Sequence, residues 1–350
     1  MRATGIDIGT GNIVVAEKEN DELVYHKVKD VFFKVDPSSF MGGSAMDFGE
    51  EMLVRSKANF VKINEILYIL GDDAFKFANL FHKECLRPMS KGVLNPAEPA
   101  STVMVTALIK GVLGKALNET DIIYYSVPAD PIDSDFDVIY HASTVRSVLE
   151  GLWYKDIYKM NEGLAVIYSE LEDEQFTGVG ISLGAGMVNV AYSFLGMPIF
   201  SFSLARSGDW IDKNAATVTN ETSNVVQYTK EAGMNLQKPK NNIENAISVY
   251  YKALIEYIVQ QFNELYESTD PKKLPNIMAP IKIIVSGGTS MIGGFLDTFK
   301  QVIETGFPVP ISEVVLAKDP LFAVANGLYN AAKIKAETVE KKSNVHEDES

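Results

Sequence analysis

One pattern occurs twice in this chain: an apolar run, a glycine-punctuated turn and a second run rich in β-branched residues. The first copy is Thr4-Gly5-Ile6-Asp7-Ile8-Gly9-Thr10-Gly11-Asn12-Ile13-Val14-Val15-Ala16 and the second is Val179-Gly180-Ile181-Ser182-Leu183-Gly184-Ala185-Gly186-Met187-Val188-Asn189-Val190. Each reads as a β-hairpin, because glycine tolerates the backbone angles of a tight turn and β-branched side chains favour extended chain. Ser182 stands 175 positions after Asp7, half of the 350 residues. Self-similarity at so long a period predicts two related halves, each opening with a strand, a turn and a returning strand.

The rest of the chain has material for both halves. With 46% hydrophobic and 22% charged residues, it can bury two cores. Helices are predicted over 101–117, 134–152 and 242–267, where apolar residues recur at helical spacing, and buried strands over 122–127 and 281–285. Strand, helix and strand in alternation is α/β grammar. Residues 32–70, aromatic-rich and broken by Pro37 and Gly42-Gly43, predict a small insertion with its own strands. Residues 336–350 are charged without an apolar period and predict a disordered tail.

Composition excludes several classes. No apolar run is long enough to cross a bilayer, and Asp7 interrupts the N-terminus before a signal-like stretch develops, so a cytoplasmic, non-secreted protein is expected. Cys85 is alone, and His26, His82, His141 and His346 are scattered, so neither a disulfide nor a metal cluster is expected. A net charge of −14 argues against a nucleic-acid-coating surface. Any phosphate must be held locally.

Three glycine-rich turns, around Gly9, Gly184 and Gly287, each follow an apolar strand, where α/β sheets place ligands. Backbone N–H groups in such turns approach anions closely. Two facing hairpins could clamp a polyphosphate and the third turn could carry a base. A single glycine between strands is usually only a turn; the ordered set is the specific signal.

That order, Asp7-Ile8-Gly9-Thr10-Gly11-Asn12, Leu183-Gly184-Ala185-Gly186 and Val285-Ser286-Gly287-Gly288-Thr289-Ser290-Met291, resembles the phosphate-1, phosphate-2 and adenosine motifs of the actin superfamily of ATPases. Arg87-Pro88-Met89-Ser90-Lys91-Gly92-Val93-Leu94 is similar to a segment of the bacterial actins MreB and MamK, and Asn161-Glu162-Gly163-Leu164-Ala165-Val166 to the segment carrying their catalytic glutamate. Ser207-Gly208-Asp209, Tyr228-Thr229-Lys230-Glu231 and Lys318-Asp319-Pro320-Leu321-Phe322-Ala323-Val324-Ala325-Asn326-Gly327 are further matches, so the likeness runs through about residues 4–333. Some ParM-like character accompanies it.

The resemblance implies an actin-like α/β fold with two related domains, each a mixed sheet flanked by helices, closing on a nucleotide. The expected units are 1–175, with a small subdomain at about 32–78, and 176–335, with one at about 208–276, followed by the tail 336–350. It further implies ATP or ADP with Mg²⁺ as cofactors. Asp7 would face the metal through water, since Mg²⁺ keeps much of its hydration shell. Gly9, Thr10, Gly11 and Asn12 would meet the phosphates from one side and Gly184, Ala185 and Gly186 from the other. Gly208, Asp209, Lys230 and Glu231, with Gly287, Gly288, Thr289, Ser290 and Met291, would surround the rest of the nucleotide. Glu162 would orient the attacking water, acting with Asp7 as the catalytic pair. Three positions depart from the pattern: Ser182 stands where the superfamily has an aspartate, and Met187 and Asn189 replace its usual Thr and Asp. Loss of a carboxylate weakens Mg²⁺ binding or slows hydrolysis, so nucleotide binding is implied more directly than turnover.

The resemblance also implies self-association into head-to-tail filaments whose subunits add with ATP, with an adaptor or cargo left open. Met1 to Thr4 leads straight into the first strand, without an amphipathic membrane helix. Two alternatives stand beside this reading: a non-polymerising, PilM-like nucleotide-binding adaptor, which Ser182 keeps open, and a small-metabolite kinase of the same superfamily. A chaperone ATPase needs a substrate domain, for which too little chain follows Gly327.

Overall fold

Both hairpins form, and each belongs to a sheet of the same design. The computed structural model describes residues 1–35, 45–80, 83–275, 279–304 and 306–348; Pro37, Gly42, Gly43 and His82 lie outside the described residues. In the first half, β1 (Ala3–Ile8), β2 (Asn12–Glu19) and β3 (Glu22–Lys29) run as a meander. The insertion follows as β4 (Phe32–Lys34), α1 (Ala45–Arg55), β5 (Phe60–Ile63), β6 (Ile66–Leu70) and α2 (Gly71–Leu80). A short pair, β7 (Met89–Ser90) and β8 (Val93–Leu94), leads to α3 (Ser101–Val112), β9 (Ile122–Val127), α4 (Ile139–Gly151), β10 (Asp156–Asn161) and α5 (Glu162–Glu170). The second half comprises β11 (Gly178–Leu183), β12 (Val188–Phe194), β13 (Met197–Leu204), α6 (Gly208–Thr219), α7 (Ser223–Glu231), α8 (Asn242–Ser268), β14 (Ile281–Ser286), a 3-10 turn (Gly288–Met291), α9 (Phe295–Ile303), β15 (Ile311–Leu316) and α10 (Ala323–Asp348).

The strand orders are β10-β9-β1-β2-β3 and β15-β14-β11-β12-β13, position for position the same. The antiparallel hairpins share one register, with Asp7 opposite Val14 and Ser182 opposite Asn189. Parallel strands β9 and β14 flank β1 and β11 on the side away from each hairpin partner. Parallel pairing requires crossover connections, which the intervening helices supply. Ile6, Ile8 and Val15 pack with Val105, Leu108 and Ile109 of α3, while Ile181, Leu183 and Val190 share a core with Ile247, Leu254 and Ile258 of α8. The stripe read along 242–267 is therefore core.

Two helices exchange partners. Ala165, Val166 and Ile167 of α5, from the first half, pack on Ala191 and Ile284 of the second sheet. Ala325 and Tyr329 of α10, at the end of the chain, pack on Val14 and Ala16 of the first. The two helices meet each other at Gly327, where an added Cβ would lie 1.7 Å from the Ala165 carbonyl oxygen. Only glycine permits that approach.

Three expectations need correction. The first helix stops at Val112 because Leu113 turns extended and buries itself. Residues 134–138 do not join α4; Asp137 instead accepts the Ile139 N–H at 2.5 Å, a local turn that competes with helix. The charged segment from 336 is not irregular, since α10 continues through Asp348. Its Ala, Glu and Lys content favours helix, and Lys333 sits 4.0 Å from Glu337 one turn on. Among the described residues no helix is long and apolar enough to cross a membrane.

Candidate functional site

The two hairpin turns face each other. Gly9 N–H donates to the Asn12 carbonyl at 3.0 Å, and Gly184 N–H to the Met187 carbonyl at 2.9 Å, closing equivalent turns. Gly11 faces Ala185, whose Cβ would lie 3.7 Å from a Cβ on the glycine, and a Cβ on Gly186 would lie 2.5 Å from Thr10 Oγ1. Thr10 is buried and its Oγ1 accepts the Gly92 N–H at 2.9 Å, so the β7–β8 turn is tied to the first loop. Asn12 opens β2, partly exposed.

The third turn joins the second. Gly184 O accepts hydrogen bonds from Ser207 Oγ at 2.6 Å and Thr289 Oγ1 at 2.8 Å, and Ala185 O accepts the Asp209 N–H at 2.8 Å. The start of α6, carrying Gly208 and Asp209, thus docks on the second glycine turn. Gly287 adopts φ +91, and a Cβ there would strike the Leu183 backbone. Gly288 begins the 3-10 turn, Ser290 Oγ donates to Gly287 O at 2.7 Å, and Met291 is half exposed.

Asp7 and Glu162 lie at the floor. Asp7 is the penultimate residue of β1, with Oδ1 buried and, among the described residues, without a hydrogen-bond partner. Burial raises its pKa, and a hydrogen bond with Ser126 opposes the rise. Ser126 also accepts the Ile8 N–H at 2.8 Å. Glu162 begins α5, where Asn161 caps the helix by accepting the Leu164 N–H at 2.8 Å. Ser182 Oγ donates to Glu162 Oε2 at 2.9 Å. Burial, then the neighbouring Asp7 charge, pushes Glu162 well above the ordinary carboxylate range, with Ser182 and Asn189 opposing. Asn189 Oδ1 accepts the Ala129 N–H at 2.9 Å, tying the two halves together behind the site.

The predicted Lys-Glu pair divides. Lys230 is nearly buried, 2.6 Å from Asp212 and 3.3 Å from the Gly208 carbonyl, so it braces α6. Burial raises Asp212 to about 6, and Lys230 opposes the rise. Glu231 is exposed and accepts from Gln227 at 2.9 Å. Arg87, quoted in a motif but given no role, crosses between the halves to Asp209 at 3.3 Å. Ser126 was also missed, although a lone serine in an apolar strand is a readable signal. Elsewhere His26 comes within 3.2 Å of Glu19 and 3.5 Å of Glu17 through the β2–β3 register, a grouping that scattered histidines did not predict; Glu17 is already paired with Arg2.

Two halves of one topology, with a glycine turn from each facing the other and a third turn alongside, define the actin-like ATPase fold. A family model described as Volactin matches residues 1–332, and the chain belongs to that family. Solved structures agree on the fold. A MamK double helical filament is 17% identical, with TM-score 0.68, covering 94% of this chain and 98% of that one. MreB5 of Spiroplasma citri bound to ADP is 16% identical, with TM-score 0.67 and coverage of 96% and 98%. The ethanolamine utilization protein EutJ from Carboxydothermus hydrogenoformans is 14% identical, with TM-score 0.51 and coverage of 94% and 90%. None of the curated proteins compared with the chain matches it.

Proposed function

We propose that this chain is an actin-like cytoskeletal protein that binds ATP or ADP with Mg²⁺ between its two halves and assembles with copies of itself into filaments in the cytoplasm. The observation that carries the reading is the meeting of three glycine turns beside two acids, the buried Glu162 and Asp7 with its buried Oδ1. Turn amides suit an anion, and the orphaned Asp7 Oδ1 suits a hydrated cation, so the residues present fit Mg²⁺. Asp7 would hold the ion through water, and the ion would neutralise phosphate charge. Glu162, already positioned by Ser182, would orient a water toward the terminal phosphate. Polymer formation draws support from the likeness to the MamK filament and nucleotide binding from the ADP-bound MreB5. Repeat units at 1–175 and 176–335 remain part of this proposal.

The test is sedimentation and negative-stain microscopy with ATP and Mg²⁺, phosphate release being followed in the same samples. Filaments that depend on nucleotide are expected. Absence of both filaments and nucleotide binding across a wide concentration range sinks the reading. Binding without filaments would favour an adaptor, the second reading, which Ser182 in place of a carboxylate supports.

A further inference from the structure

The second half carries surfaces of opposite charge at its two ends. Toward the end of α8, a groove of about 580 Å³ is lined by Glu256, Glu264 and Glu267 over a floor that includes Val259 and Phe307. Asn263 Nδ2 donates to the Gly306 carbonyl at 3.1 Å, which leaves Asn263 Oδ1 buried with no donor. Among the described residues Glu264 accepts amide protons alone, from Gln260 and Gln261, and Lys252 reaches Glu256 at 3.8 Å. The groove is thus rich in acceptors and poor in cations.

Lys238 and Lys240 flank Pro239 in the exposed loop before α8. Leu236 N–H donates to the Gly293 carbonyl at 2.8 Å, anchoring that loop beyond the carboxyl end of β14. The groove's Gly306 and Pro308 precede β15, whose first residue Ile311 pairs with Ile281, the first of β14. The two surfaces therefore lie at opposite ends of the same sheet. Helix α8 has 27 residues, a span of about 40 Å at helical rise. Lys238 and Lys240, at the far end of that helix, cannot reach the groove of their own chain.

We propose that the acidic groove receives the 238–240 loop of a second copy of this chain, head to tail. The ammonium groups meet the glutamates that line the groove, and the lysine stems lie along its Val259 and Phe307. Proline stiffens the loop and lowers the cost of ordering it. Because the two surfaces differ, every contact leaves one of each free, and growth is open-ended. The proposal rests on the filament reading and deepens it by naming a contact.

Two variants test it: Glu264→Lys with Glu267→Lys, and Lys238→Glu with Lys240→Glu, each checked by circular dichroism and thermal melting. Each alone should lose about tenfold or more of the sedimenting material. An equimolar mixture should regain it, since unlike copies then meet with opposite charges at both contacts. Either variant assembling like the parent, or a mixture of two folded variants that stays soluble, overturns the contact while leaving the filament reading intact. A parent chain that is monomeric under all conditions overturns both.

Discussion

Matching positions in the two halves hold different chemistry on the same scaffold. Asp7 precedes the first turn with Ser126 on the neighbouring parallel strand, and Ser182 precedes the second with Ser286 on its neighbour. Ser126 serves Asp7 and the Ile8 N–H, whereas Ser286 Oγ donates to the Ile181 carbonyl at 3.3 Å. The difference follows from what α5 delivers. It brings Glu162 within 2.9 Å of Ser182, where an aspartate would add a third buried carboxylate beside Glu162 and Asp7. Serine offers a proton instead of a charge. One half thus keeps the acid that suits a cation, and the other keeps the donor that holds the water-orienting candidate.

The strongest break of this comparison removes the crossing that relates the halves. Gly327→Val should destabilise the chain by about 3 kcal/mol or prevent folding, read by urea denaturation; a parent-like midpoint would contradict the backbone contact with Ala165. Next, Asp7→Asn should weaken Mg²⁺-dependent nucleotide binding about 10–100-fold, while Ser182→Ala leaves it within about threefold. Fluorescent-nucleotide titration decides, and equal losses would erase the asymmetry between the halves.

The pH dependence sharpens the same point. Burial holds Glu162 and Asp7 above their unfolded pKa values, so above about pH 4.5 the folded chain retains protons that the unfolded chain has released. Stability of the nucleotide-free protein should then fall as pH rises through neutrality. Glu162→Gln should flatten that fall in melting curves, and an unchanged slope would place the titration elsewhere. The smallest effect is expected at Arg87→Ala, whose partly exposed pair with Asp209 contributes less than about 1 kcal/mol. A larger loss in chemical denaturation would mean that the two halves lean on that pair.

Much of this was readable beforehand, for identifiable reasons. Hairpins, buried strands and the stripe of α8 are local patterns, and the 175-residue offset from Asp7 to Ser182 survives as an identical register. The departure at Ser182 was visible, but its bond to Glu162 was not, because α5 leaves its own half to pack on the other. Lys230 illustrates the same limit: the resemblance implied a lysine near a nucleotide, but its ion pair with Asp212, one helix earlier, was not legible in the sequence. Helix α10 was misread past 336 because a helix can persist on propensity and side-chain pairs without an apolar stripe.

The contact of Gly327 with Ala165 also bears on where the molecule has room to give. Backbone against backbone leaves no side-chain cushion to compress or slide at the crossing. Were the two halves to part, such a crossing would be expected to yield least, and the insertion of the first half and the α6–α7 region of the second, far from it along the chain, to travel most.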